Sequence, residues 1–479
     1  MVSGHIRLFT VSLTIGILCG CALNPATGRR QLSLIGESKE ISMGRKSDAE
    51  IGRSLGLYQD TSLAAYVQQM GKKLAAHSER PDLPWTFRIV DDSVVNAFAL
   101  PGGFVYVTRG ILAHLGSEAE LAAVVGHEIG HVTARHSVNQ MSKAKLAGLG
   151  LNLGTLVKPG LARFGDLTNT SLGLLFLKFS RDDESQADEL GLRYMLRAGY
   201  DARPMVEVFD LLDRVSHAGN GSSVPNWLAT HPAPLDRKER AQRQIAARGA
   251  GATTGKVGTR TYLGHLEGLV FGDDPRHGFF KEGAFYAPDL KFWIVFPPGW
   301  KTSNQANQVA AASPDGSGGV LITLAPETTP TAAAERFFAD ESVHRGASWR
   351  QEVHGLPAVS NRFTAGSGSK TVTGRIAFIA HNGRVFRVAG FVSSDKWPTY
   401  EAAITFSIAS FQRLTDPNIL DVEPRRIHLV ELQSPTTLAR YTHQHPSSIP
   451  MDQLVLINHL NPDDPLPAGR LIKRVVGGP

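Results

Sequence analysis

Cysteine is almost missing from this chain of 479 residues. The only two, Cys19 and Cys21, stand at the very start. Cleavage before Cys21 would leave one thiol, so disulfides are excluded from whatever folds downstream. No segment beyond the first twenty residues reads as a membrane span. No Lys/Arg run is dense enough to argue for nucleic acid, and a formal charge of +6 is mild for this length. No internal repeat is evident. Bulk disorder is excluded by an ordinary globular composition, 42% hydrophobic and 20% charged. A chain this long usually holds two or three domains.

What is present begins with a leader. "HIRLFTVSLTIGILCGC" carries one Arg, a short apolar stretch, then small residues, the form of a secretory signal and too short to span. Leu18-Cys19-Gly20-Cys21 resembles a bacterial lipoprotein signal with Cys21 as the lipidated residue, and Ala22 after it resembles the outer-membrane sorting pattern. The expectation is a signal peptide over 1–20, a tether over 21–36, and a lipoprotein held at the membrane in the bacterial periplasm, the outer membrane by that pattern. A mild positive balance suits life beside anionic lipid.

Apolar residues recur every three or four over 37–78 (Ile41, Ile51, Leu55, Leu63, Val67, Met70, Leu74), predicting helix. "PWTFRIVDD" and "GFVYVTRG" alternate as strands. A helix is predicted from Ser117, with Glu120 as its capping-box partner, to about Lys143. Residues 146–176 are Gly- and Leu-rich, favoured as a lid over a cleft. Helices follow at about 174–198 and ahead of "THPAPLDRKERAQRQ", and 247–260 lacks periodicity and reads as a linker. Residues 261–415 read as a separate α+β, mostly antiparallel domain with a hairpin at Asn382-Gly383. Residues 425–476 resemble a LysM module of strand, two helices and strand, with Ser434-Pro435-Thr436 where Gly-Asp-Thr is usual. Glycan binding by that module, and hence a peptidoglycan partner, stays open.

The chemistry centres on "VVGHEIGH". On a helix, His127 and His131 share a face and can point at one ion, while Glu128 lies about 100° from His127, beside that ion. Two metal ligands and an adjacent base are what a hydrolase needs. Two solvated histidines are the bland alternative. Against it, the surrounding stretch is apolar, and Gly126 and Gly130 weaken the helix in the way tolerated where close approach is needed. A third ligand is offered by Glu184 in "SRDDESQADELG", with Asp188 on the same face to accept a hydrogen bond from a ligand histidine. His136 reads as structural or as support for the ligands.

His127-Glu128-Ile129-Gly130-His131, Glu184-x-x-Ala187-Asp188, Thr230-His231-Pro232 and the upstream "NAFALPGG" together resemble the M48 family of zinc metallopeptidases over about residues 35–245. The resemblance implies a mainly α-helical gluzincin-type domain with a small β-sheet over 37–246, inside a multidomain α+β protein. It implies one zinc per chain held by His127, His131 and Glu184, with Glu128 as general base. Asn96 would orient substrate, and the strand of Phe104, Val105 and Tyr106 would pair with its backbone. His231 and Arg237 would donate to the oxyanion, and His231 could instead fill zinc's fourth position at rest. Unfolded or misassembled envelope proteins are the implied substrates. The alternatives are a periplasmic chaperone or assembly scaffold, or a cell-wall factor, with little proteolysis.

Overall fold

The computed structural model describes residues 21–28, 30–146, 177–217, 227–231, 234–366 and 371–478. The leader and most of the stretch favoured as a lid lie outside the described residues. Architecture is mixed helix and sheet in several units.

The chain opens with a two-stranded antiparallel ribbon, β1 (Cys21–Leu23) and β2 (Arg30–Leu32). Two helices follow, α1 (Glu37–Ser54) and α2 (Thr61–Ala75). The apolar period runs through both, but Gly56 at φ 76° breaks it and Asp60 caps α2 by accepting from Leu63 N. A three-stranded sheet comes next, β3 (Thr86–Val90), β4 (Ala97–Leu100) and β5 (Phe104–Thr108), in the order β3-β5-β4. Gly102, at φ 83° in the β4–β5 turn, lies so close to α1 that a Cβ there would sit 2.7 Å from Ile41 Cα.

After α3 (Arg109–His114) comes α4 (Glu118–Thr133), buried along its whole length. Ser117 caps it by accepting from Glu120 N at 3.2 Å, but the Glu120 carboxylate reaches Gly116 N instead of completing the box. The single helix expected to run to about Lys143 is in fact two. Ala134 ends the first, Arg135 takes a left-handed φ of 61°, and α5 (His136–Leu146) starts afresh. The break is held by tertiary bonds: Arg135 Nε donates to buried Glu40 at 2.9 Å and its Nη2 to Ile35 O at 2.6 Å.

Helix α6 (Arg181–Arg197) starts later than its apolar pattern suggests, at a capping box of Ser180 and Asp183. Then come α7 (Arg203–His217), α8 (Trp227–Thr230) and α9 (Pro234–Arg248). The segment after α9 is tied back onto α4 through Lys256 Nζ and Glu118 at 2.8 Å, and leads into α10 (Thr259–Gly264).

Beyond it the sheets are antiparallel. A four-stranded one contains β6 (Phe279–Lys281), β7 (Ala284–Ala287), β8 (Phe292–Val295) and a late strand at Gln412–Arg413. A seven-stranded one contains β9 (Lys301–Gln305), β10 (Gln308–Ala312), β11 (Gly318–Ala325), β12 (Val343–Val353), β13 (Leu356–Ala365), β14 (Val372–His381) and β15 (Arg384–Ser393). Helices α11 (Pro330–Phe338) and α12 (Trp397–Ala409) cover its two faces. Asn382 and Gly383 both have positive φ, 49° and 69°, as a type I′ hairpin turn requires.

Residues 426–476 run strand, helix, helix, strand. Their apolar side chains, among them Ile427, Leu454, Ile457 and Val475, belong to the same core as Leu115, Leu121 and Val125 of the peptide around α4. Lys473, 2% exposed, donates to Ala113 O at 2.9 Å and Leu115 O at 2.7 Å. Among the described residues no helix is long and apolar enough to cross a membrane.

Candidate metal centre

Helix α4 presents His127 and His131 one turn apart, their Nε2 atoms 3.0 Å from each other. Helix α6 lies against them because three glycines let the backbones touch. A Cβ on Gly130 would fall 2.9 Å from Ala187 O, and one on Gly191 2.8 Å from His127 N. That contact sets the Glu184 carboxylate 3.5 Å from both imidazoles. From the end of α8, His231 brings Nδ1 to 2.9 Å of Glu184 Oε1 and 3.3 Å of His127 Nε2. His127, His131, Glu184 and His231 are all buried, with one ligand atom from each lying within 4.8 Å of the others. The Trp227 ring stacks on His231 at 4.4 Å, and Phe179 packs on His131 at 4.0 Å.

A second ring of groups fixes the first. His127 Nδ1 faces Asp188 Oδ1 at 2.9 Å. Burial holds His127 near pKa 3, and Arg237 pushes the same way, so the ring is neutral. An ionised carboxylate only accepts, so the proton sits on Nδ1 and the Nε2 lone pair faces the cluster. Arg237 donates to Asp188 from Nε at 2.9 Å and Nη2 at 2.7 Å, while its Nη1 stands 2.9 Å from Glu184 Oε2. The last contact is an ion pair without hydrogen-bond alignment. Burial alone would raise both carboxyls, but the neighbouring His231 and Arg237 hold Glu184 well below the usual range, and Arg237 with the His127 bond holds Asp188 below it.

Glu128 is 1% exposed and its Oε1 has no hydrogen-bond partner. Burial pushes its carboxyl up to about 7; Glu184 adds to this, while His131 and Arg237 oppose it. A lone pair, an anionic carboxylate and further imidazoles converging on one point, dry and with few donors, are chemistry for a cation. Two or three nitrogens with a carboxylate oxygen suit zinc. A carboxylate beside that point, titrating near neutrality, is placed to move protons.

The structure thus brings together His127, Glu128, His131, Glu184, Asp188, His231 and Arg237. Three expectations change. Arg237 was expected to donate to an oxyanion, but its guanidinium is taken by Asp188 and Glu184, so it holds these two carboxylates in place. Phe104, Val105 and Tyr106 were expected to pair with substrate, but β5 is the middle strand, its two edges already bonded to β3 and β4. The strands at the sheet edges are β3 and β4, and β4 begins just after Asn96. Asn96 itself is 1% exposed and its Oδ1 accepts from Ala97 N, so it shapes the start of that strand. The sequence did not disclose Gln186, Trp227 or Phe179. The supports of His131 depend on the chain break at Arg135, which has no local signature.

The family model Peptidase family M48 matches residues 61–245. The beta-barrel assembly-enhancing protease of Escherichia coli (strain K12) is 30% identical over 224 residues, covering 44% of this chain and 45% of that protein. The mitochondrial metalloendopeptidase OMA1 of Arabidopsis thaliana is 38% identical over 170 residues, covering 35% and 33%. The chain spans less than half the length of these curated relatives in the matches.

Proposed function

With residues 61–245 forming a peptidase family M48 domain, we propose that the protein is a zinc endopeptidase that hydrolyses peptide bonds of unfolded or misassembled cell-envelope proteins. The observation that carries this reading is the meeting of His127, His131 and Glu184 at one point, with Glu128, whose Oε1 makes no hydrogen bond, beside it. Zinc bound there supplies a Lewis acid that polarises a carbonyl and brings the pKa of water toward about 7.

Glu128 takes the proton of the attacking water and returns it to the leaving amine, a role open to it because Oε1 makes no hydrogen bond. Asp188 keeps His127 in its Nδ1–H form, and Arg237 keeps both neighbouring carboxylates ionised. His231, 3.7 Å from Glu128 and in contact with Glu184, would serve a bound zinc as a further ligand at rest and so keep water from it. Once displaced it is free to donate to the oxyanion. An extended substrate adds to the edge strand β4 and is read by its backbone more than its sequence.

The envelope assignment is supported by the lipoprotein-like leader ending at Cys21 and by the name of the Escherichia coli relative. In this reading the protein is a lipid-anchored periplasmic factor of the outer membrane, with peptidoglycan as a further partner of the LysM-like residues 425–476. A scaffold that binds chains without cutting is the competing reading, favoured by the residues beyond 245, which the family match leaves out. Casein cleavage by wild type and Glu128→Gln separates the two. Loss of cleavage together with loss of the cellular phenotype supports the protease, and a phenotype that survives Glu128→Gln supports the scaffold. His231→Ala should cleave casein faster than wild type; an unchanged or slower rate rules out the resting block.

A further inference from the structure

His127 and His131 are supported differently. The first faces a carboxylate, but the second faces another imidazole: His131 Nδ1 lies 2.9 Å from His136 Nδ1. One of those nitrogens donates and the other accepts, and the metal centre works only if His131 is the donor. Otherwise His131 carries its proton on Nε2 and donates across the 3.0 Å gap to His127 Nε2, closing the site against a cation.

The choice is made far away in sequence. Asn24 Oδ1 accepts from two backbone amides, Ala26 N at 2.9 Å and Thr27 N at 3.3 Å, which fixes the orientation of its side-chain amide. Its Nδ2 therefore does the donating, its two hydrogens shared among Gln31 Oε1 at 3.2 Å, Ala134 O at 3.4 Å and Gln186 Oε1 at 3.5 Å. The Gln186 oxygen lies 2.9 Å from His136 Nε2 and the Asp183 carboxylate, which only accepts, lies 3.6 Å from the same nitrogen, so His136 Nε2 donates. A neutral His136 then accepts at Nδ1, so His131 donates and its Nε2 lone pair is left for the cluster.

We propose that Asn24, Gln186 and His136 form a positioning relay that sets the tautomer and orientation of His131. The ribbon beginning at Cys21 is then part of the metal centre and not a tether alone. This rests on the zinc reading above. Groups that orient a ligand histidine typically change metal affinity by about 10–100-fold.

The test uses the full chain with labelled histidines. In metal-free wild type, nitrogen NMR should show His131 as the Nδ1–H form. In His136→Phe it should move toward Nε2–H, and zinc affinity by chelator competition should fall about 10–100-fold. His136→Asn, whose Oδ1 can take the place of Nδ1, should restore both. Gln186→Met, on a partly exposed face of α6, should act in the same direction and covers the case in which His136→Phe does not fold. Asn24→Ala should weaken zinc by about two- to tenfold, the worth of one hydrogen bond. Wild-type affinity and tautomer in both His136→Phe and Gln186→Met would overturn the relay, and wild-type affinity in Asn24→Ala would remove the ribbon from it. Failure of wild type to bind zinc at all would instead overturn the zinc reading.

Discussion

Replacing Arg237 by Met keeps the length of the side chain and deletes its charge from a site where both partners are buried. Asp188 and Glu184 are 4% and 1% exposed, and both then lose their cation. Breaking a buried pair by removing one partner costs about 3–5 kcal/mol. At about 2–4 °C per kcal/mol for a domain of this size, the metal-free protein should melt roughly 6–20 °C lower. Saturating zinc should narrow the gap, because the ion replaces the lost charge beside Glu184. Acid should narrow it too. Both carboxyls are held below their ordinary pKa in the fold, so the stability they give is present above about pH 4 and is lost as pH falls through their folded values. Differential scanning calorimetry with and without zinc, at neutral and at acid pH, reads all three effects. If Arg237 served only the oxyanion, Arg237→Met would slow turnover and leave the melting temperature unchanged. A metal-free shift of a degree or less refutes the positioning role.

Gly130→Ala puts a Cβ 2.9 Å from Ala187 O, so α6 must move away and carry Glu184 with it. Overpacking of this kind costs about 1–3 kcal/mol, and zinc affinity by chelator competition should fall at least tenfold, about 1.4 kcal/mol; unchanged affinity would show that the helix contact does not set the site. His114 and His459, at the join between the C-terminal unit and the peptide around α4, are each held near pKa 4, chiefly by burial. Lys473 acts on both in the same direction, Arg214 adds to it at His459, and Glu120 stands 3.8 Å from His459 Nδ1. Each binds its proton more weakly folded than unfolded, so stability is lost as pH falls from about 6.5 to about 4, by up to about 3 kcal/mol per histidine. His459→Gln, which can still donate to His114 O, should show a shallower loss in urea titrations across that window; an identical slope would refute it.

Much of this was legible in the sequence because its signals are local. The hairpin at Asn382-Gly383 is written in two residues that tolerate positive φ, and the His127–His131 pair follows from helical period alone. Gly126 and Gly130 announced a close approach, which proved to be the α4–α6 contact that delivers Glu184. Other features depend on distant partners. The break at Arg135 is set by Glu40 and Ile35, so a helical pattern ran through it unmarked. Strand β5 looks like any amphipathic strand until β3 and β4 cover its two edges. Arg237 could be placed near the site, but only the fold shows that two carboxylates claim it. The packing of residues 426–476 onto the core around α4 likewise leaves no mark on a composition that reads as a separate module.

The most direct measurement is zinc content with X-ray absorption on the purified full chain, alongside Glu184→Gln. One zinc per chain is expected, with only nitrogen and oxygen ligands at about 2.0–2.2 Å, two or three of them imidazole, and a marked loss of metal in Glu184→Gln. A wild-type protein that carries no zinc, or a Glu184→Gln protein that holds it as tightly, would contradict convergence of the two helices on one ion.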